Sequence, residues 1–220
     1  MKKYELIKQK NGFFRIRSLK SFGYVEEGEL GGIIEKESNL SQDGNAWVYN
    51  DALVCDDARV SDDALVYGDA RVRGDARVCG NARVCDDAEI YNDAWVYGDA
   101  WVYGDALVCD DSRVYGDARV CDALVCGDAR VYGNAEVYGN TTIISDINEP
   151  FLNIVSIQCE KRLITVYQDI NGNVKCNIGC QKGMTLEMLE RRIEEDGGMT
   201  PHRKQYVNIM KNAKSILNIE

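Results

Sequence analysis

The sequence predicts an all-β solenoid followed by a small α+β segment, and three observations carry that prediction. Residues 46–146 divide into seventeen consecutive six-residue units, of which only Ala118–Asp122 is short by one residue. Each unit reads small, variable, Val or Ile, Tyr or Cys, then two turn residues, as in AWVYND, ALVCDD and ARVSDD. Composition frames the same block: it holds 18 Asp and 2 Glu against 8 Arg, a net charge of −12, while the segments on either side each come to +1. A repeat of this kind fixes the architecture before any single element is assigned.

The N-terminal segment, residues 1–33, reads as a β-hairpin. Tyr4–Gln9 and Phe13–Leu19 alternate around Asn11-Gly12, a dipeptide suited to a tight turn. Ile34, Ser38 and Leu40 then look like one further unit, with an insertion in SQDGN before Ala46, so the solenoid is expected over residues 34–147. Within each unit the small and aliphatic positions are two apart and point to one side of a short strand. The variable and Tyr/Cys positions point to the other. Gly, Asp or Asn then supplies a corner residue that tolerates left-handed backbone. A corner every six residues excludes an amphipathic helix, and Ala and Val are expected to stack inside. The short unit should tighten or kink one edge.

Residues 148–220 change character. Ile154–Cys159, Leu163–Gln168 and Val174–Ile178 read as three strands, the last two joined by Asn171-Gly172-Asn173. Leu186, Leu189 and Ile193 recur at helical spacing before Gly197-Gly198. Tyr206, Ile209, Met210, Ala213, Ile216 and Leu217 mark a second helix that Pro201 can open.

The spacing of Val48…Ala52, Val54…Ala58 and Val66…Ala70 resembles the hexapeptide repeat of left-handed parallel β-helices. That resemblance implies three units per coil, a left-handed triangular prism and about six coils. The layout also resembles uncharacterised bacterial and phage β-helix proteins, which carry an N-terminal segment like RIRSLKSFG…GELGGIIEKESNLS. Their C-terminal domain has a GC-x-x-G motif, here Gly179, Cys180 and Gly183. Hexapeptide enzymes are commonly trimers, so the resemblance implies a homo-oligomer, trimer or dimer.

Composition narrows the chemistry. The 220 residues carry a net charge of −10, which argues against general binding to nucleic acid or to an anionic membrane. A hydrophobic content of 45% excludes a wholly disordered chain. No apolar run is long enough to span a bilayer, and nine Cys, an odd number, fit reduced thiols in a cytoplasm. The single His, His202, lies outside the repeats, so the coils lack the general base of hexapeptide acyltransferases and the three metal-binding His of γ-type carbonic anhydrases. No catalytic residue, cofactor or metal site is assigned. Cys159, Cys176, Cys180 and His202 remain an alternative zinc set, and the corner carboxylates an alternative calcium set.

Three units per coil sort the outward side chains onto three faces. The first, with Trp47, Tyr49, Leu65, Tyr67, Trp101 and Tyr103, is the candidate for self-association. The second has an apolar patch of Leu107, Cys109, Leu124, Cys126 and Ile144, a candidate dock for the last helix. Cys109 and Cys126 should lie one coil apart in one column. The third, with Arg77, Trp95, Tyr97, Arg113, Tyr115, Arg130 and Tyr132, is the candidate ligand face, because guanidinium forks bind phosphate and flat aromatics stack on bases. A small nucleotide or an anionic protein segment would fit it. The bland reading is that these Arg pair with corner Asp and stack on Tyr. The expected function is a non-catalytic oligomeric binding or scaffold protein of bacterial or phage origin, one that sequesters a host protein or a small signalling nucleotide, with an acyltransferase-like enzyme and an acidic DNA mimic as alternatives.

Overall fold

The computed structural model describes residues 2–127, 129–133, 135–138, 142–144, 151–158, 163–169, 171–178 and 181–213. Its centre is a parallel β-solenoid of about six turns, and the register follows the repeat. On one face Leu53 pairs with Arg71, Arg71 with Glu89 and Glu89 with Leu107. A second sheet runs through Trp47, Leu65, Arg83, Trp101 and Arg119, and a third through Arg59, Arg77, Trp95, Arg113 and Arg130. Backbone bonds join the coils, for example from Leu53 N to Ala70 O at 2.9 Å and from Cys55 N to Val72 O at 3.0 Å.

The interior is two kinds of column. The Ala and Val/Ile positions from Ala46 to Val108 are 0–1% exposed, so the small side chain lets coils close around the aliphatic one with no room for water. Ser112 replaces one Ala, and its hydroxyl donates to Val125 O at 3.3 Å.

The corners behave as the turn chemistry requires. Their first residues take positive φ, between +52° and +59° at Asn50, Asp56, Asp62, Asp86, Asn92, Asp110 and Asp122, and between +64° and +74° at the corner glycines from Gly68 to Gly133. The Asp side chains also serve the next coil. Asp56 Oδ2 accepts from Gly74 N, Asp62 Oδ2 from Gly80 N and Asp86 Oδ2 from Gly104 N, each at 3.0–3.1 Å.

The short unit changes this pattern at one corner and shortens the pairings that span it, while Leu124 and Thr142, beyond it, are again eighteen residues apart. Leu107 pairs with Leu124 and Arg113 with Arg130, seventeen rather than eighteen residues apart. At four other corners the second corner residue, Asp63, Asp69, Asn81 or Asp99, donates to a backbone carbonyl of the next coil, as Asp69 N does to Asp86 O. At the shortened corner Asp105 N donates instead to Asp122 Oδ1 at 2.9 Å. A side-chain oxygen of the first corner residue takes the place of its backbone carbonyl as acceptor. Gly104 is required below it, because a Cβ there would lie 2.1 Å from that oxygen.

The N-terminal hairpin pairs Tyr4–Lys8 with Phe14–Ser18, and Leu30–Ile34 continues the sheet. That third strand is antiparallel to the hairpin on one side and parallel to Leu53–Val54 on the other, so it converts one sheet type into the other. Gly31 and Gly32 allow the crossing: a Cβ at either would come within 2.6–2.7 Å of first-coil atoms. Leu40 bridges Val60 in parallel, continuing the repeat upstream.

At the other end Phe151–Gln158, Leu163–Asp169 and Val174–Ile178 form an antiparallel sheet with a fourth strand, Gln181–Met184, which the sequence pattern did not indicate. Helices α1 (Leu186–Glu195) and α2 (Pro201–Lys211) pack on it through Leu189, Ile193, Tyr206, Val207 and Met210. Among the described residues the second helix shares an apolar cluster with Ile164, Val166 and Cys176 of this sheet, and the Leu107–Cys126 patch is not part of that cluster. Tyr167, from the same sheet, belongs to the solenoid core. Ile216, Leu217, Cys159, Gly179, Cys180 and the side chain of His202 lie outside the described residues, as does the side chain of Ile144. No helix among the described residues is long and apolar enough to cross a membrane.

Candidate functional site

The third face gathers all seven residues singled out for ligand binding onto one sheet. Trp95 pairs with Arg77 on one side and Arg113 on the other, Tyr97 with Tyr115, and Arg113 with Arg130. The two columns differ in chemistry. In the first, Arg77 Cζ lies 4.8 Å and Arg113 Cζ 5.3 Å from the Trp95 ring centroid, so the indole is held between guanidinium groups one coil below and one coil above. In the second, Tyr97, Tyr115 and Tyr132 stack at centroid distances of 4.8 and 5.0 Å, within 7° of parallel. Trp95 meets Tyr97 edge-on at 6.2 Å. Burial pushes the Tyr97 and Tyr132 hydroxyls above their usual pKa, so both remain neutral donors.

The arginines of the three faces have different partners. On the second face Arg73 binds Glu89 at 2.9 Å and covers the Tyr91 ring, with Arg71 3.7 Å from the same carboxylate. On the first, Arg119 meets Glu136 at 3.7 Å. None of Arg59, Arg77, Arg113 and Arg130 on the third face is ion-paired among the described residues. The corner Asp do not pair with them among the described residues; of the carboxylates beside this face, those of Asp56, Asp62 and Asp110 accept from backbone N–H groups of the next coil. Four like charges thus share a column, and the middle two, Arg77 and Arg113, lie against an indole rather than against counter-charges.

The first face corrects one expectation. Trp47 does not face outward to a partner; it is 0% exposed. The N-terminal segment covers it, with the Phe22 ring 5.4 Å and the Tyr4 ring 6.1 Å away, both edge-on. Tyr49, Leu65, Tyr67, Trp101 and Tyr103 stay partly exposed. Tyr49, Leu65 and Tyr67 line, with Asn50 and Arg83, an open cavity of about 320 Å³. Trp101 stacks obliquely on Tyr103 at 4.9 Å and donates to Cys85 Sγ at 3.3 Å.

The seven described cysteines carry no sign of nucleophilic activation. Burial raises the thiol pKa at Cys79, Cys85 and Cys109, to about 11 at Cys55, Cys121 and Cys126, and to about 12 at Cys176. Reactive cysteines show the opposite shift. Of the alternative zinc set only Cys176 is described with its side chain, and it is fully buried beneath α1 and α2.

Two polar groups that the sequence pattern did not indicate sit under the hairpin. Lys3 is 1% exposed; its Nζ donates to the carbonyls of Ala46 at 3.0 Å and of Asp43 and Gly44 at 3.4 Å. Burial lowers its pKa to about 8. Asn39 is fully buried and donates to the carbonyls of Asp56 and Ala58 while accepting from Lys36 N. Neither residue lies in a periodic pattern, so no sequence signal marks them.

A family model described as the YdcK beta solenoid repeat matches residues 58–74. The match is about one coil long and speaks for the solenoid repeat alone. No curated protein matches the chain.

Proposed function

We propose that this chain is a non-catalytic binding or scaffold protein whose third face takes an anionic, planar ligand, a small nucleotide or an acidic protein segment. The observation that carries the reading is the column of Arg77, Arg113 and Arg130, without acidic partners among the described residues, beside Trp95 and the Tyr97–Tyr115–Tyr132 stack. The indole orients the guanidinium planes and leaves their N–H groups free for bidentate contact with phosphate or carboxylate. The tyrosine edges offer three hydroxyls in line and aromatic surface beside them.

The remainder of the reading follows the resemblance in the repeat. The coil is left-handed with three six-residue units per turn, its hairpin and α+β segment cover the ends of the prism, and the protein is bacterial or phage in origin and cytoplasmic. It self-associates as a trimer or dimer through Tyr49, Leu65, Tyr67, Trp101 and Tyr103 on the first face. An acyltransferase-like role would need a base, and the coils hold no His. A DNA-mimic role would need free corner carboxylates, whereas several are spent on backbone N–H groups.

Titration of the intact protein with nucleoside mono-, di- and triphosphates and with acidic peptides tests the ligand face. Binding should weaken at least about tenfold in an Arg113→Ala/Arg130→Ala variant, since hydrogen bonds to charged groups contribute about 1.5–3 kcal/mol each. Equal affinity in the variant, or no binding to wild type by either ligand class, would sink the reading.

A further inference from the structure

Among the outward columns of the solenoid, only the second face sets two cysteines in successive coils. Its outer column runs Cys55, Arg73, Tyr91, Cys109 and Cys126, whereas Cys85 and Cys121 on the first face are separated by Tyr103. The juxtaposition is a product of the shortened unit. Eighteen-residue coils would set Gly127 above Cys109; the seventeen-residue coil pairs Val108 with Val125 and so brings Cys126 there.

A carboxylate completes the group. Cys109 Sγ, Cys126 Sγ and a carboxylate oxygen of Asp110 lie within 4.8 Å of one another. Asp110 is held in place: Asn92 Nδ2 donates to its Oδ1 at 2.8 Å and Gly127 N to its Oδ2 at 3.2 Å. The same Oδ2 is 3.9 Å from Cys109 Sγ. Cys109 is 4% exposed, Cys126 is half-buried and Asp110 is exposed, so the cluster has an apolar floor and an open mouth. The comparable group of Glu35, Cys55 and Asp56 has one sulfur and is more open.

We propose that Cys109, Asp110 and Cys126 bind one thiophilic divalent cation of the zinc or cadmium type. Two thiolates and one carboxylate oxygen come from the protein, and the fourth tetrahedral position opens to water. Thiolate ligands select soft cations over calcium or magnesium, and three protein ligands with one open position is an established stoichiometry for zinc. Each thiol gives its proton to solvent as its sulfur–metal bond forms, so two protons leave per ion and nothing is oxidised or reduced. Asn92 Nδ2 and Gly127 N, by donating to the carboxylate, hold it in register for the ion. The bound cation would tie two adjacent coils together just beyond the shortened corner.

Cadmium titration of the full-length, thiol-reduced protein is the test, read by near-ultraviolet thiolate–cadmium absorption and by metal retained after gel filtration. One tight equivalent is expected, with about two protons released in weakly buffered solution. Cys126→Ser should weaken that equivalent about a hundredfold. Asp110→Asn, which keeps a residue tolerant of positive φ, should weaken it about 10- to 100-fold. Asp111→Asn and Cys79→Ser should leave it unchanged. Circular dichroism confirms that the variants fold, and two independent ligand changes keep the result readable if one does not. The proposal is overturned if wild type takes up no tight equivalent, if Cys126→Ser and Asp110→Asn bind like wild type, or if Cys176→Ser alone abolishes uptake.

Discussion

Trp47, Trp95 and Trp101 occupy the same slot of the same repeat, in AWVYND, AWVYGD and AWVYGD, yet they meet different surroundings. Trp47 is fully buried, with Tyr4 and Phe22 against its ring. Trp95 and Trp101 are half-buried on the outside of the prism, where their neighbours are the same slots of adjacent coils. The repeat dictates which way a side chain points; what it meets there depends on the chain that crosses it. Near the N-terminal end single residues have particular partners, whereas in the middle coils they are closer to interchangeable.

The largest effect should come from removing that difference. Trp47→Ala is expected to cost about 3–5 kcal/mol, the range for a large aromatic lost from a packed core. Trp101→Ala should cost about 1 kcal/mol, since its ring is partly solvated. Chemical denaturation of both variants checks the pair, and similar losses would erase the distinction. Trp47→Phe sharpens it. Trp47 Nε1 has no hydrogen-bond partner among the described residues, so the smaller ring forfeits contact but also removes a buried, unsatisfied donor. Its cost should fall well below that of Trp47→Ala.

Lys3, beneath the same hairpin, gives the comparison a pH dependence. Its pKa is lowered to about 8 from 10.5, chiefly by burial. Below about pH 8 both folded and unfolded states hold the proton, and the folded state bears the cost of burying it. Between about pH 8 and 10.5 the unfolded state binds more protons, so stability from this group rises with pH, by up to about 1.4 kcal/mol per unit. The stability difference between wild type and Lys3→Met should therefore shift in favour of wild type across that window. A difference that is flat or moves the other way would refute the assignment.

The parts of the molecule that the sequence made legible are those set by local periodicity. The Ala and Val columns, the left-handed corner residues and the grouping of Arg77, Trp95 and Arg113 on one face all follow from a six-residue period repeated three times per coil. The Cys109–Cys126 column could be read in the same way. The rest depends on tertiary crossings. Trp47 looked exposed because nothing in AWVYND reveals that Tyr4 and Phe22 return over it. The crossing also explains Gly31-Gly32, which carries no repeat signal but is where the hairpin sheet meets the first coil. Gln181–Met184 was missed because QKGM has no alternating pattern of its own; it pairs with Val174–Ile178 through register. The missing partners of the third-face arginines were also invisible, since turn chemistry predicts Asp at a corner but not where its carboxylate points.

A smaller effect distinguishes the two residues of a corner. Asp86 has a φ of +59°, and its carboxylate accepts from Gly104 N at 3.1 Å. Asp87, the next residue, is exposed. Asp86→Gly keeps the backbone conformation and loses the acceptor, so about 1 kcal/mol should be lost. Asp86→Ala adds strain at positive φ and should cost more, about 2 kcal/mol. Asp87→Ala should stay within about 0.5 kcal/mol of wild type. If both corner positions responded alike, the Asp ladders would act through net charge and not through these directed bonds.

The smallest effect is expected where the repeat itself is broken inside the prism. Ser112 occupies an Ala slot and is fully buried, with its hydroxyl donating to Val125 O. That carbonyl already accepts from Cys109 N at 2.9 Å, so removing the hydroxyl leaves it satisfied. Ser112→Ala therefore trades one long hydrogen bond for the relief of burying a polar group, two effects of similar size and opposite sign. The variant should unfold within about 0.5 kcal/mol of wild type. A loss above about 1.5 kcal/mol would mean that the hydroxyl holds the coils together at the level of the shortened unit, and the middle of the prism would then be less interchangeable than its neighbouring Ala columns imply.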